Sequence, residues 1–136
     1  GSFRLPSKKE DIMKVLLVDD SRTMRNIQKK SLETLGAVEF AEAGDGVEAL
    51  TVIAGQAPFD LMLIDWNMPN MNGITLVGKV REKDKTTPMI MVTTEAEKQR
   101  VIDAIKAGVN NYVIKPFTPQ QLIEKVNQTL AKAKAA

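Results

Sequence analysis

Residues 15–20 are VLLVDD, a continuous apolar run that ends in two carboxylates. An uninterrupted run of this length is typical of a strand that is buried on both faces, as the strands of parallel sheets are. Similar runs occupy residues 61–64, 89–92 and 112–114, and a weaker one residues 38–43. The chain is therefore expected to contain five strands.

Segments with helical spacing of apolar residues lie between and after these runs, and each has a start or stop signal. Ser21 is a candidate N-cap, Gly36, Gly55 and Gly108 are candidate ends, and Thr118-Pro119 opens the last helix. The predicted apolar faces are Met24, Ile27, Ser31 and Leu35; Val47, Leu50, Ile53 and Ala54; Ile74, Val77 and Val80; Val101, Ile102 and Ile105; and Leu122, Ile123, Val126 and Leu130. Five strand–helix units in strict alternation predict an α/β protein with a doubly wound, five-stranded parallel sheet and five helices. Right-handed crossovers favour the strand order 2-1-3-4-5.

The length and composition fit a single domain that has no cysteine or histidine to bind a metal. The 136 residues suit one domain, expected over residues 13–136 after a tail at residues 1–12 that starts with a cloning remnant, Gly1-Ser2. Cysteine and histidine are absent, which excludes disulfides, Cys/His zinc sites and a Ser-His-Asp triad. The net charge of +2 is too small to indicate a nucleic-acid-binding surface. No apolar run is close to the length of about 20 residues that a membrane-spanning helix needs. We expect a cytoplasmic protein that neither binds nucleic acid nor inserts into a membrane.

Polar residues follow the apolar runs where each strand is expected to end. They are Asp19 and Asp20 after the first run, Asp65, Thr93 and Lys115. In an open α/β sheet, ligands bind outside the carboxyl ends of the strands, so we expect these side chains to converge. Three carboxylates repel one another, and an all-oxygen site of this kind suits Mg²⁺. With Lys115 and a hydroxyl nearby, the site would stabilise phosphoryl oxygens, and Asp65 is the best candidate nucleophile.

Four motifs carry a family resemblance over about residues 13–131. They are VDDS at 18–21, DWNMPNMNG at 65–73, MVT at 91–93 and YVIKPF at 112–117. In order and spacing they resemble the receiver domains of two-component response regulators, especially the stand-alone chemotaxis regulators of the CheY type. The resemblance also implies a flavodoxin-like receiver fold with the order 2-1-3-4-5. CheY is a standard example of that order, so the order expected from the crossovers is not an independent prediction.

The resemblance assigns roles to individual residues. It implies that Asp65 is the phosphoacceptor and that Asp19, Asp20, Asp65 and the backbone carbonyl of Asn67 surround Mg²⁺, with Asp19 acting through water. Thr93 and Lys115 are similar to the residues that contact the phosphoryl group, and Lys115-Pro116 matches a cis peptide. Tyr112 is similar to an aromatic switch that turns inward when Thr93 moves, and Asn67 and Glu95 match positions that tune self-dephosphorylation.

The resemblance also implies partners and a signalling role. The phosphoryl donor would be a histidine kinase of the CheA type, and the output a flagellar motor switch protein of the FliM type, bound by a monomer. Such a protein catalyses only its own phosphorylation and slow dephosphorylation, so it is a switch and not an enzyme in the ordinary sense. Whether a phosphatase acts on it stays open.

Three residues depart from the pattern of well-known relatives. Ser21 stands where phenylalanine is frequent, Thr94 where alanine is frequent, and Glu97 where lysine is usual. A residue larger than alanine at position 94 could hinder the inward rotation of Tyr112. The acid at position 97 changes the charge that helix 4 offers to a partner or phosphatase.

Three alternatives remain beside a motor-binding regulator. The same receiver could act as a phosphorelay shuttle or phosphate sink without motor binding. A phosphatase of the haloacid-dehalogenase type would need a second aspartate two residues after the nucleophile, where this chain has Asn67. A receiver cut from a DNA-binding regulator would require a longer native sequence.

Overall fold

The computed structural model describes residues 12–135, in which five parallel strands form one sheet. The strands are β1 (Met13–Val18), β2 (Val38–Ala43), β3 (Leu61–Ile64), β4 (Met89–Thr93) and β5 (Asn111–Ile114). The order is β2-β1-β3-β4-β5, and in register Val18 lies opposite Ala43 on one side and Ile64 on the other. The predicted sheet and strand order are confirmed.

Five helices cover both faces of the sheet. They are α1 (Arg22–Glu33), α2 (Gly46–Gln56), α3 (Gly73–Arg81), α4 (Lys98–Ala107) and α5 (Pro119–Ala135). Helices α1 and α5 pack together on one face, while α2, α3 and α4 form the layer on the other. The doubly wound arrangement predicted from the alternating segments is therefore confirmed.

Alternate residues of each strand supply two separate cores. Val15 and Leu17 of β1 pack with Leu32 of α1 and Leu122 of α5. Leu16 and Val18 point to the opposite face, where their core contains residues from β3, β4, α2, α3 and α4. Because side chains alternate along a strand, a central strand must be apolar at every position to fill both cores.

Side chains cap four of the described helices, and two of these starts, at Ser21 and Thr118, were predicted from the sequence. The Oγ of Ser21 accepts the Met24 N–H at 3.1 Å and begins α1. Thr118 and Gln121 bond reciprocally at the start of α5, where the Thr118 hydroxyl accepts the Gln121 N–H at 3.1 Å and the Gln121 side chain accepts the Thr118 N–H at 2.9 Å. Gly108 ends α4 with a φ of +127°, a conformation that favours glycine.

Parts of the helix predictions were wrong. Gly55 lies inside α2, which continues to Gln56. Ile27 and Ile105 are exposed, and the buried positions next to them are Gln28, Ser31 and Leu32 in α1 and Ala104 in α4. Val47, predicted on the apolar face of α2, is exposed as well. The spacing identified amphipathic helices and correctly included Ser31, but it also assigned exposed positions to the buried faces.

The predicted tail falls almost entirely on residues 1–11, which lie outside the described residues. Among residues 12–135, no helix is both long enough and apolar enough to cross a membrane.

Candidate functional site

Three carboxylates meet at the carboxyl edge of the sheet. Asp19 and Asp20 directly follow β1, and Asp65 directly follows β3, its hydrogen-bonded neighbour. Asp19 and Asp65 are buried and Asp20 is exposed, and each offers one oxygen to a cluster in which all three atoms lie within 4.8 Å of one another. The backbone fixes this meeting, because the Asp65 N–H donates to the Val18 carbonyl at 2.9 Å.

Lys115 enters the cluster from the end of β5 and bonds to two of the carboxylates. Its Nζ lies 2.6 Å from Asp19 Oδ2 and 3.0 Å from Asp65 Oδ2. Burial by itself would lower the pKa of Lys115, but the hydrogen bonds and charges of Asp19 and Asp65 outweigh it and raise that pKa above its usual value. Lys115 is therefore a permanent cation here, and its peptide bond to Pro116 is cis, as the resemblance implied.

One lysine does not balance three carboxylates. Burial raises the pKa of Asp19 above its usual value, even though Lys115 and the N–H of Ser21, at 2.9 Å from Oδ1, both act to lower it. A raised pKa means that the ionised form is under-stabilised, so the cluster has capacity for a further cation. All available donors are oxygens, which suits a hard dication such as Mg²⁺, so the residues present fit the predicted metal.

The Asp65 side chain is held in a defined orientation by the loop that follows it. Its Oδ1 accepts the Trp66 N–H at 2.7 Å, and its Oδ2 faces Lys115. The loop closes when the Gly73 N–H donates to the Trp66 carbonyl at 2.8 Å. A Cβ on Gly73 would lie 2.0 Å from the Asp65 carbonyl oxygen, so only glycine permits this closure. No role was predicted for Gly73 from the sequence, although its place after Asn72 at the start of a helical segment was the available signal.

Thr93 and Tyr112 both hydrogen-bond to the backbone of Glu95. Thr93 is the last residue of β4 and is fully buried, and its Oγ1 accepts the Glu95 N–H at 3.4 Å. Tyr112 is buried in β5 with its hydroxyl donating to the Glu95 carbonyl at 2.6 Å. Burial and the charge of Glu95 raise the pKa of Tyr112 to about 12. Thr94 is exposed, while Tyr112 is buried.

Glu95 joins three parts of the site entrance. Its Oε2 accepts a hydrogen bond of 3.2 Å from the Asn67 side chain, and its Oε1 lies 3.4 Å from Arg100 Nε. The Arg100 guanidinium also lies 5.0 Å from the ring of Trp66, in cation–π contact. Arg100 was not predicted as a site residue, because nothing in its spacing within α4 distinguishes it from an ordinary solvated arginine.

Ser21 and Glu97, the other two residues that depart from the pattern of relatives, are both N-cap residues. Ser21 caps α1 and donates its N–H to Asp19. Glu97 is the N-cap residue of α4, is exposed, and makes no side-chain capping bond. The structure thus brings together Asp19, Asp20, Asp65 and Lys115 in one cluster, while Thr93 and Tyr112 bond to the backbone of Glu95 and Asn67 bonds to its side chain.

Comparison with known proteins gives matches over nearly the whole described chain. Residues 15–127 match the response regulator receiver domain family. The chain is 52% identical over 120 residues to the chemotaxis protein CheY1 of Helicobacter pylori, covering 87% of this chain and 97% of that protein. It is 49% identical over 118 residues to the chemotaxis protein CheY of Pseudomonas aeruginosa, covering 85% of this chain and 94% of that protein. The crystal structure of a CheY-like receiver domain protein from Methanospirillum hungatei is similar with a TM-score of 0.83 at 30% identity, covering 92% of this chain and 98% of the other.

Proposed function

Because this chain belongs to the response regulator receiver domain family, we propose that it is a phosphorylation-activated chemotaxis response regulator. We further propose that it accepts a phosphoryl group on Asp65 from a histidine kinase of the CheA type, and that it then binds the flagellar motor switch. The observation that carries the proposal is the carboxylate of Asp65 held between Lys115 and two further carboxylates. We expect it to act as a monomer in the cytoplasm.

The transfer step needs a nucleophile and a way to offset negative charge. A carboxylate oxygen of Asp65 attacks the phosphorus of the donor phosphohistidine, a P–O bond forms as the P–N bond breaks, and the imidazole leaves and takes up a proton from solvent. Lys115 stays protonated and pairs with the phosphoryl oxygens, and its 3.0 Å contact with Asp65 supports this role. The Trp66 N–H keeps the nucleophilic carboxylate in one orientation.

The acidic cluster would hold the metal. Asp19, Asp20, Asp65 and the backbone carbonyl of Asn67 are the proposed ligands, with Asp19 acting through water. When bound, Mg²⁺ would neutralise charge on the phosphoryl oxygens during transfer. The contribution of this chain is to hold the carboxylates close enough for one dication to satisfy them, at a cost in repulsion that Lys115 offsets only in part.

The response to phosphorylation would pass through Thr93 and Tyr112. The added charge on Asp65 would draw the Thr93 hydroxyl toward it and strengthen the existing contact with Lys115, and the gap that Thr93 leaves would favour the buried position of Tyr112 that this structure shows. Tyr112 links β5 to the loop before α4 through Glu95, so its position biases the surface of α4, β5 and α5. Ile105 and Ile114 are exposed on that surface, which supports its use as a docking site for the motor switch.

Asn67 and Glu95 would govern how long the phosphoryl group lasts. The Asn67 side chain, two residues after Asp65, donates a hydrogen bond to the Glu95 side chain at 3.2 Å. We propose that this pair tunes self-dephosphorylation, and that any phosphatase would meet the acid of Glu97 where relatives carry a base.

A phosphorelay shuttle or phosphate sink would also be phosphorylated on Asp65. Only binding to the motor switch distinguishes a motor-binding regulator from these alternatives. The test uses Trp66, the only tryptophan, in titrations with Mg²⁺ and then beryllofluoride, followed by an N-terminal peptide of the motor switch. A fluorescence response to both additions, with several-fold tighter peptide binding, is expected. A response without peptide binding would favour the shuttle or sink, and no response in either step would contradict the receiver chemistry. An Asp65→Asn variant is the matched control.

A further inference from the structure

The backbone of Asp19 is held at both of its polar groups by residues outside the acidic cluster. Its N–H donates to the Ala43 carbonyl of β2 at 3.0 Å. Its carbonyl accepts a hydrogen bond from Arg25 Nη1 at 2.5 Å. Arg25 lies in the first turn of α1, and its side chain is only 14% exposed. An arginine in this position is therefore committed to the Asp19 peptide and is not a solvated surface charge.

Arg25 is itself held by an acid from the neighbouring strand. Its Nε lies 2.8 Å from Glu42 Oε1, while Lys29 Nζ lies 2.5 Å from the other carboxylate oxygen. Glu42 lies opposite Leu17 in the β1–β2 register, directly beside the end of β1. Burial would raise the pKa of Glu42, but the hydrogen bonds and charges of Lys29 and Arg25 outweigh it and lower that pKa, so Glu42 stays ionised and keeps Arg25 in place.

The peptide that Arg25 holds leads directly into Asp20. A peptide unit is planar, so fixing the Asp19 carbonyl also fixes the direction in which the chain enters residue 20. Asp20 is exposed, and among its described contacts no hydrogen bond holds its side chain, in contrast to Asp19 and Asp65. Its carboxylate therefore depends on the backbone for its place in the cluster.

We propose that Arg25, fixed by Glu42, is a positioning residue for the divalent cation, acting through the Asp19 carbonyl on the carboxylate of Asp20. This inference rests on the proposed function, because it concerns the metal site of the receiver. Groups behind metal ligands commonly matter in this way, and their removal typically weakens binding about 10- to 100-fold.

Positioning and simple electrostatics predict opposite signs for the loss of Arg25. As a cation near the cluster, Arg25 repels a second cation, so its neutralisation would tighten Mg²⁺ binding if charge alone mattered. As a positioning residue, its loss would loosen the Asp19–Asp20 peptide and weaken binding. A purely structural role would lower stability and leave the affinity of the folded protein unchanged.

The test compares variants of the full chain by their Mg²⁺ affinity, measured by calorimetry and by Trp66 fluorescence. We expect about ten-fold weaker binding for Arg25→Met, and weaker binding also for Glu42→Gln, which frees Arg25 from its support. Lys29→Met is the matched control, because Lys29 shares Glu42 but does not contact Asp19, and its affinity should be unchanged. Arg25→Lys, which keeps the charge but not the fork of donors, should also bind more weakly, and it replaces Arg25→Met if that variant fails to fold.

Unchanged or tighter Mg²⁺ binding by folded Arg25→Met or Arg25→Lys would overturn the inference while leaving the proposed function intact. A wild-type chain that does not bind Mg²⁺ at all would overturn both. Equal weakening by Lys29→Met would also overturn the inference, because it would place the effect in the ion pairs of α1 and not in the contact with Asp19.

Discussion

The hydroxyl of Tyr112 donates a 2.6 Å hydrogen bond to the backbone carbonyl of Glu95. The bond joins β5 to the loop between β4 and α4, and Tyr112 itself is buried. Because Glu95 also contacts Asn67 and Arg100 through its side chain, one residue connects the buried tyrosine with the rim of the acidic cluster. A change in the position of Tyr112 would therefore also affect Glu95 at the entrance to the site.

The ionisation of Tyr112 gives a direct test of this bond. Burial and the charge of Glu95 raise its pKa to about 12, and it is the only tyrosine, so the near-ultraviolet absorbance of tyrosinate reports it alone. We expect the folded chain to titrate near pH 12 and the denatured chain near the ordinary value of about 10. Since the folded state binds this proton more tightly, the contribution of Tyr112 to the free energy of unfolding falls as pH rises from about 10 to about 12.

Tyr112→Phe is the control for that titration, since it removes the hydroxyl and keeps the ring. The variant should lose the absorbance change and the pH-dependent loss of stability that Tyr112 causes, and at neutral pH it should be about 1 kcal/mol less stable by urea denaturation. A titration near the ordinary value of about 10 in the folded chain would show that the hydroxyl is not held by Glu95.

Arg100→Ala should uncover Trp66. The guanidinium lies 5.0 Å from the indole ring, which is otherwise buried, and its loss opens one side of that ring to solvent. We expect stronger acrylamide quenching of Trp66 and a loss of about 0.5–1 kcal/mol in the free energy of unfolding. Lys98→Ala, an exposed residue of the same helix, should change neither measurement. Equal quenching in both variants would mean that Arg100 does not cover the indole in solution.

The strands and the residues at their carboxyl ends could be predicted from the sequence, because a buried parallel strand is apolar at every position and polar residues follow it. The strand order also depended on the family resemblance. The helix faces could be predicted only in part. Val77 and Val80 of α3 are buried as predicted, but Ile27 and Ile105 are exposed, because apolar spacing defines a stripe but not which of its edges meets the sheet. Contacts between residues that are far apart in the sequence leave no periodic pattern from which they could be predicted. Arg25 on the Asp19 carbonyl and Arg100 on Trp66 belong to this class.

Asp19→Asn should stabilise the metal-free protein. Burial raises the pKa of Asp19, so the folded state binds a proton there more tightly than the unfolded state, and the contribution of this carboxyl to the free energy of unfolding falls as pH rises above its usual value. At neutral pH, with EDTA present, the neutral amide should raise the free energy of unfolding, and the gain should shrink as acid protonates Asp19 in the wild type.

Mg²⁺ should remove the stability advantage of Asp19→Asn, because the neutral amide binds a dication more weakly than the carboxylate does. The wild type should gain stability as Mg²⁺ is added, and Asp19→Asn should gain less. Asp20→Asn is the matched control: its side chain is exposed, so its loss should change metal-free stability little but should also reduce the gain from Mg²⁺. A metal-free Asp19→Asn protein that is less stable than the wild type at neutral pH would contradict the account of an under-compensated cluster.

Two glycines of α3 should respond to alanine in opposite directions. At Gly73 a Cβ would lie 2.0 Å from the Asp65 carbonyl oxygen, which is backbone and cannot rotate away, whereas at Gly78 no atom lies within 4 Å. Gly73→Ala should therefore lower the free energy of unfolding by about 3 kcal/mol, as other clashes with a packed backbone do. Gly78→Ala should raise it by about 1 kcal/mol, because alanine is the better helix former at an exposed position. Urea denaturation of both variants measures the difference, and Mg²⁺ titration of Gly73→Ala should also show weaker binding, since the displaced carbonyl belongs to Asp65 itself. If both variants were equally stable, the close approach of α3 to Asp65 would not exist in solution.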